Sequence, residues 1–544
     1  DWLPYDDDLV NLLVAEDLGD VPEEEVLRVL SPLGAAYVKR DGRWTTVRKP
    51  WPETIDEWTH FLHDASNNAV AADERVGPPG RLKWVAGPLW SRSHEFASSL
   101  CAMVSAKGRI FYIFDEGLTG VTTPTVPERW TLIARDAFNG LLLWKRSMPK
   151  WGGGHWNTKA LRSVPATVPR RLVAEGDRVL VTLGYDAPVS ALDAVTGRTL
   201  VTFEATEGTE EIRSRQGVLV LRKGGNLKAV DADTGKNLWQ ATGKIQPLSP
   251  TLHDDRVFYQ DGRSLLCLRL RDGEELWRAE SKGPISLLVA YDDRLLTLIG
   301  PAIHAVSTET GEGLWSVNAG LRRRELFVAS GRLWHWEGDR LVGRSLETGE
   351  VSTRLDTDDV FTPGHHLRCY QTKATESFLI TPNRGVEFVS VAGAANTQHD
   401  WVRGPCRYGI MPANGLLYAG PDPCFCYPGV KLTGFNALAP KKDDKRAVRD
   451  ERRETPRLER GPAYGKTTVH HSSFTLHHSE DWPTYRHDAR RTGASSCDVP
   501  TRVGRRWRVP LVGGPTPPVV AGDRVYVAAK DHHRISALHV DDGR

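Results

Sequence analysis

The stretch Ala229-Val-Asp231-Ala-Asp-Thr234-Gly235-Lys-Asn-Leu-Trp239 decides the fold. Its Thr-Gly pair supplies the positive φ that a tight hairpin needs, and the residues on both sides read as strands. The same text returns at Cys267…Asp272-Gly273…Trp277 and Ala305…Thr310-Gly311…Trp315, and an earlier copy reads Ala134-Arg-Asp136-Ala-Phe-Asn139-Gly140…Trp144. The turn glycines Gly197, Gly235, Gly273, Gly311 and Gly349 stand 38 residues apart at each step. A unit of this length cannot bury its apolar face alone, so the period implies stacked blades. Each copy holds strand text of the kind seen at 178–182 and 189–192, enough for four antiparallel strands. Two degenerate copies follow, one with Gly393 near its turn and Trp401 at its end, the other with Pro440 where glycine would stand. The expectation is an all-β, eight-bladed propeller of four-stranded antiparallel blades over residues 56–440, with seven blades as the alternative.

Composition removes several classes. Lys+Arg less Asp+Glu is 71−69, so no net field draws the chain to nucleic acid or a membrane surface. No apolar run approaches the roughly 20 residues that a membrane-spanning helix requires. Of the 18 tryptophans, several fall at matching repeat positions, which marks those as structural. The chain starts mid-element at Asp1 and stops mid-repeat at Arg544, and so reads as a piece of a longer protein.

The flanks differ from the repeats. In residues 1–50, Leu9-Val-Asn-Leu-Leu-Val14 reads as a strand and Pro22-Glu-Glu-Glu25 opens a short amphipathic helix with acids in its first turn. Pro32-Leu-Gly34 reads as the helix stop, and Ala35-Ala-Tyr-Val38 as a second strand. This text resembles the second half of a class I S-adenosylmethionine-dependent methyltransferase, although the Gly-rich loop that holds that family's cofactor is not present. Residues 441–480 are a charged linker, and His470, His471, His477 and His478 read as exposed linker histidines. At 481 the chain restarts: Asp481-Trp-Pro-Thr-Tyr-Arg-His487-Asp488 echoes Glu57-Trp-Thr-His-Phe-Leu-His63-Asp64. Trp58 and Trp482 lie 424 positions apart, and Trp84 and Trp507 lie 423 apart. Residues 481–544 are therefore read as the start of a second propeller. The His-Asp pair found at both starts reads as a latch for the opening segment.

The repeat at 229–239 resembles the tryptophan-docking motif of pyrroloquinoline quinone (PQQ) propellers. That superfamily contains eight-bladed quinoprotein alcohol dehydrogenases and a non-enzymatic outer-membrane barrel-assembly lipoprotein. The combined text "EWTHFLHDASNNAVA", "KWGGGHW" and "CFCYPGVKLTGFNALAP" looks like large bacterial proteins that join a methyltransferase-like segment to PQQ-like propellers. The resemblance implies a periplasmic or exported setting. Quinoprotein dehydrogenases carry adjacent cysteines over the cofactor and an acidic and amide calcium site. Adjacent cysteines do not occur here and no calcium-ligand set matches by position, so PQQ itself is not expected to bind.

Departures from the period mark decorated loops. The added sequence lies at 90–103, 116–130, 151–159, 363–375, 401–414 and 421–429, joints expected to emerge on one face of blades seven, eight, one and two. Their residues suit an anionic or glycan ligand, or a protein. His155, Arg368, Tyr370, Lys373 and Arg403 are the candidate catalytic set, with His365 nearby. Arginine would neutralise a carboxylate while Tyr or His takes a proton, as in β-elimination by a carbohydrate lyase. Trp151, Trp156, Arg407 and Tyr408 are the candidate ligand-binding set, the two tryptophans as aromatic platforms. Cys369, Cys406, Cys424 and Cys426 fall in the same sector, as a zinc site, as two disulfides or as free thiols. Calcium is the other metal kept open. Two functions follow: a module that binds a ligand or protein on the decorated face, or an enzyme, either a carbohydrate lyase or hydrolase or a quinoprotein-type oxidoreductase.

Overall fold

The computed structural model describes residues 2–40, 42–92, 98–119, 126–156, 164–321, 323–338, 340–362, 367, 370–422, 429, 432–441, 481–488, 490–511 and 513–544. It divides into two units, 1–442 and 443–544, each described by itself. The expected linker at 442–480 and its histidines lie outside the described residues.

The first unit is built almost entirely of antiparallel sheets laid down in chain order. Sheet one spans 100–147, two 172–202, three 211–242, four 251–280, five 285–318, six 327–355 and seven 373–399, each of four consecutive strands, and sheet seven adds Val70–Ala71 as a fifth, parallel to Lys373–Thr375. Sheet eight takes three strands from 410–440, and its fourth is Pro79–Ala86, antiparallel to Phe435–Pro440. The beginning and end of the repeat array thus share one sheet. The first strands of sheets seven and eight, eight and one, and one and two lie side by side.

One local device is stamped on most sheets. At the turn between third and fourth strands, Asp231 Oδ1 accepts the Thr234 N–H and hydroxyl at 2.9 Å each, and Gly235 adopts φ 71°. In sheets one, three, four and five the tryptophan of the fourth strand then docks on the glycine turn of the next sheet. Its indole N–H donates to a turn carbonyl: Trp144 to Ala194 (3.0 Å), Trp239 to Leu270, Trp277 to Thr308 and Trp315 to Leu346 (2.8 Å each). Trp84 on Pro79–Ala86 does the same to Ala137 of sheet one at 2.8 Å, so the join between sheets eight and one uses the repeat's own contact. Sheet two departs: Val201 stands where tryptophan would, and beside Gly235 only Phe203 and Val201 are in reach.

The inner edge of such an array is a row of first strands with unpaired backbone N–H groups, which must find partners if buried. The opening segment, residues 56–73, supplies them one sheet at a time. In order of the sheets, the N–H groups of Ser105, Ala174, Leu252, Ala290, Ala374 and Asn414 donate to the carbonyls of Trp58, Thr59, Ala65, Ser66, Ala69 and Asp56, at 2.7–3.0 Å. Sheets three and six use side chains instead: Ser214 N–H donates to His60 Nε2 (3.1 Å) and Val328 N–H to Asn68 Oδ1 (3.0 Å). In sheets one to seven the donor sits two residues before the first hairpin turn. This clasp is what the sequence motif "EWTHFLHDASNNAVA" builds; within it His63 Nε2 lies 2.8 Å from Asp56 Oδ2, while the expected latch partner Asp64 accepts instead from Ser66.

The N-terminal residues form a small α/β layer. Val10–Ala15 (β1) runs parallel to Leu30–Arg40 (β2), which pairs antiparallel with Arg43–Arg48 (β3), and Glu23–Val29 (α1) crosses between β1 and β2. The helix does not stop at Pro32-Leu-Gly34 as expected. It ends at Val29 and passes straight into β2, where those three residues form a bulge: Leu33 takes φ 66° and the register slips between Val10 and Leu12.

In the second unit, Val519–Ala521, Arg524–Ala529 and Arg534–His539 form a three-stranded sheet. Trp482 pairs with Val520 as Trp58 pairs with Ser105. The His487 ring lies 5.1 Å from that of Trp482, matching 5.3 Å for His63 and Trp58. Trp507 donates to the Val540 carbonyl at 2.7 Å, the counterpart of Trp84.

Candidate binding face and the core behind it

Every decorated connection joins a second strand to a third, or a sheet's last strand to the first strand of the next. In sheets of this order those joints share one end, opposite the clasp. Contacts tie them across long stretches of chain. Arg407 Nε donates to the Val164 carbonyl at 3.0 Å, linking the approach to sheet eight with the approach to sheet two. Ser91 donates to the Pro421 carbonyl at 3.2 Å. Arg92 pairs with Asp115 at 2.9 Å in a buried bridge and also donates to the Val126 carbonyl, fixing two loops of sheet one together. Outward these loops carry three large apolar side chains, Leu89 at 53%, Trp90 at 61% and Leu118 at 69% exposed, beside the exposed Glu128, Arg129 and His155.

The candidate residues from sequence turn out to be mostly anchors. Trp151 and Trp156 are 3% and 1% exposed, packed with each other and with Trp130, so they offer no open platform. The Gly152-Gly153 backbone curls over the Glu128 carboxylate, to which Gly153 N–H donates at 3.1 Å, so that loop's capacity for an anion is taken by the protein's own. Among the described residues of this loop the His155 side chain stands exposed. Tyr370 is buried, its hydroxyl donates to the Gly385 carbonyl at 3.3 Å, and burial pushes its pKa up, away from proton acceptance at neutral pH. Arg403 is buried and donates to the carbonyls of Asn383 and Arg384. Tyr408 is buried with its hydroxyl on the Met103 carbonyl. Cys406 is buried; Arg368, Cys369, Cys424, Cys426 and His365 lie outside the described residues, so the cysteine site does too.

Inside the sheets, behind this face, the clasp meets a charged core that sequence reasoning missed. The guanidinium groups of Arg170 and Arg213 each donate to Asn67 Oδ1 at 3.0 Å, and Asn67 Nδ2 donates to Thr251 Oγ1 at 2.7 Å. Glu211 lies 2.6 Å from Arg222, 3.7 Å from Arg213 and 4.0 Å from Arg170. Burial would raise the Glu211 carboxyl, but the three guanidinium groups overcome this and hold it low. Burial, with Arg170 adding, brings Arg213 down to about 9. Lys373 is wholly buried with its Nζ against aromatic faces, 3.8 Å from the Tyr408 ring centre and 5.1 Å from that of Trp58. Its ammonium has no hydrogen-bond acceptor among the described residues, and burial drives its pKa far down. The signal for this core is the pair of amides Asn67-Asn68 standing directly before the apolar run Ala69–Ala72.

PQQ is a flat tricarboxylate that needs open space and a calcium site. Phe61, Leu62, Lys373 and Arg213 fill the inner region, and among the described residues no group of three His, Cys, Asp or Glu gathers to hold a metal. These residues do not fit the cofactor.

Comparison with known proteins agrees on the repeat. Residues 128–284 and 261–359 match the family described as outer membrane protein assembly factor BamB. Among solved structures, BamB from Moraxella catarrhalis shares 19% identity over 52% of this chain and 77% of its own, at a TM-score of 0.34. A europium-containing methanol dehydrogenase shares 10% identity over 71% of this chain and 98% of its own, at 0.45. The quinohemoprotein alcohol dehydrogenase from Comamonas testosteroni shares 11% over 71% of this chain and 81% of its own, at 0.43. A comparison with curated proteins finds no match. The match, confined to residues 128–359, makes that stretch similar to PQQ-like repeats of BamB type.

Proposed function

We propose that residues 56–440 form a closed eight-bladed propeller that works as a protein-binding module in an exported setting. Its docking surface is the decorated end of sheets seven, eight, one and two. The observation that carries this reading is the pairing of exposed Leu89, Trp90 and Leu118 with loops held rigid by Arg92, Arg407 and Ser91. Rigid apolar side chains on tied loops are the parts from which protein interfaces draw their energy. The family matched by 128–359 is named for an assembly factor, which supports a partner that is itself a protein. The carbohydrate-enzyme reading loses its platforms with the buried Trp151 and Trp156 and one of its two candidate bases with the buried Tyr370. The test places a photo-crosslinking amino acid at position 90, 118 or 200 of the full chain in cells. Discrete protein adducts from 90 and 118, absent from Leu200 on sheet two, are expected. Equal labelling at all three, or none at 90 and 118, overturns the reading.

A further inference from the structure

The fourth strands of the sheets repeat the register of one position, two residues after the turn glycine. It holds Leu142, Thr199, Asn237, Glu275 and Val351 in sheets one, two, three, four and six, each opposite the third strand. Sheet five has Gly313 there, opposite Val306. The backbone does not demand this glycine, because its φ is ordinary, and a Cβ built on it meets nothing within 4 Å. The missing side chain faces sheet four, and there a groove of about 360 Å³ opens between the two sheets. Sheets two and three share a smaller groove of about 180 Å³. There Lys228, the counterpart of His304 in sheet five, reaches across to the carbonyls of Glu204 and Ala205, at 3.1 and 3.2 Å.

We propose that the groove between sheets four and five is a binding site for a small amphiphilic anion, an apolar chain or ring bearing a carboxylate or sulfonate. Its size falls within the range of small-molecule sites, about 300–1,000 Å³. Leu265 and Ala279 wall it from sheet four, and Ile299 and Leu314 from sheet five. Lys282 and His304 stand on its lining and sense each other, for burial first and the Lys282 charge second lower the His304 pKa. The imidazole is therefore a neutral donor at pH 7 and the ammonium supplies the charge. Glu280 also lines the groove, with its carboxylate turned to Arg263 at 3.5 Å. The site is separate from the decorated sector, so its loss leaves the docking reading standing.

The test titrates the full chain with 1-anilinonaphthalene-8-sulfonate, with its neutral analogue N-phenyl-1-naphthylamine, and with decanoate as competitor. The wild type is expected to show a saturable site that decanoate empties. Gly313→Leu and Gly313→Val place in sheet five residue types already carried at that register by sheets one and six. Both should weaken the sulfonate at least tenfold with an unchanged melting temperature. Lys282→Glu should weaken the sulfonate at least fivefold and leave the neutral analogue within twofold. Wild-type affinity in both Gly313 variants, or an equal loss of both probes in Lys282→Glu, overturns the proposal.

Discussion

The two ends of the sheets in the first unit follow different rules. At the clasp end the parts recur: one N–H from each sheet meets the opening segment, and at five of the joins a tryptophan meets the next glycine turn. Among the described residues of the decorated end the ties are singular: Arg92–Asp115, Arg407–Val164 and Ser91–Pro421 each occur once. The difference teaches that stability in this chain rests on positions that recur, and recognition on positions that do not.

The sharpest way to break that contrast is at Asn67, whose amide serves Arg170, Arg213 and Thr251 together. Asn67→Gly keeps its φ of 64° allowed while removing the amide. Leaving two buried guanidinium groups short of an acceptor should cost about 3 kcal/mol or more in denaturant unfolding. The next effect separates two turns of identical backbone. A Cβ on Gly311 would sit 2.5 Å from the Trp277 ring, whereas on Gly235 it meets Phe203 at an ordinary 3.5 Å. Gly235→Ala should cost about 1–2 kcal/mol, the left-handed strain alone, and Gly311→Ala clearly more.

Lys373 gives an effect of opposite sign. Its folded pKa lies far below the usual 10.5, so the unfolded chain binds the extra proton between the two values and stability rises with pH across that window. Lys373→Met should therefore stabilise at pH 7, by about 1–3 kcal/mol, with the gain shrinking toward pH 10.5. His60 acts in the same direction at lower pH. Burial, then the Arg213 charge, hold its pKa well below 6.5, and its Nε2 must stay unprotonated to accept from Ser214. Stability present above pH 6.5 is lost on acidification, and His60→Gln should flatten that loss between pH 7 and 5. The smallest stability change is expected at the decorated end. Trp90→Ala with Leu118→Ser should move the unfolding midpoint by no more than about 0.5 kcal/mol while abolishing the adducts formed by a photo-crosslinking residue placed at the neighbouring exposed position 89.

The sequence revealed the parts that repeat and concealed those that pair only once. The spacing of Gly197 to Gly349 and the tryptophan docking were readable because each copy confirms the others. Trp84 was noticed through its echo at Trp507, yet its place on the outer strand of sheet eight was not, because nothing local says which distant strand it joins. The clasp was legible as a domain start but not as a ring of contacts, since its partners are backbone N–H groups with no side-chain signature. Pro32-Leu-Gly34 misled because a bulge and a helix stop favour the same residues. Tyr370 and Arg403 read as catalytic, and Tyr408 as ligand-binding, because long loops need polar anchors of the same types that active sites use.

Amide hydrogen exchange on the full chain tests the central claim most directly. The amides of Ser105, Ala174, Ser214, Leu252, Ala290, Val328, Ala374 and Asn414 should exchange slowly as one group, and Asn67→Gly should speed the group together while the third strands of the sheets stay protected. Fast exchange at these eight in the wild type, or acceleration confined to Leu252 and Ala290 beside the substitution, would contradict a clasp that binds every sheet.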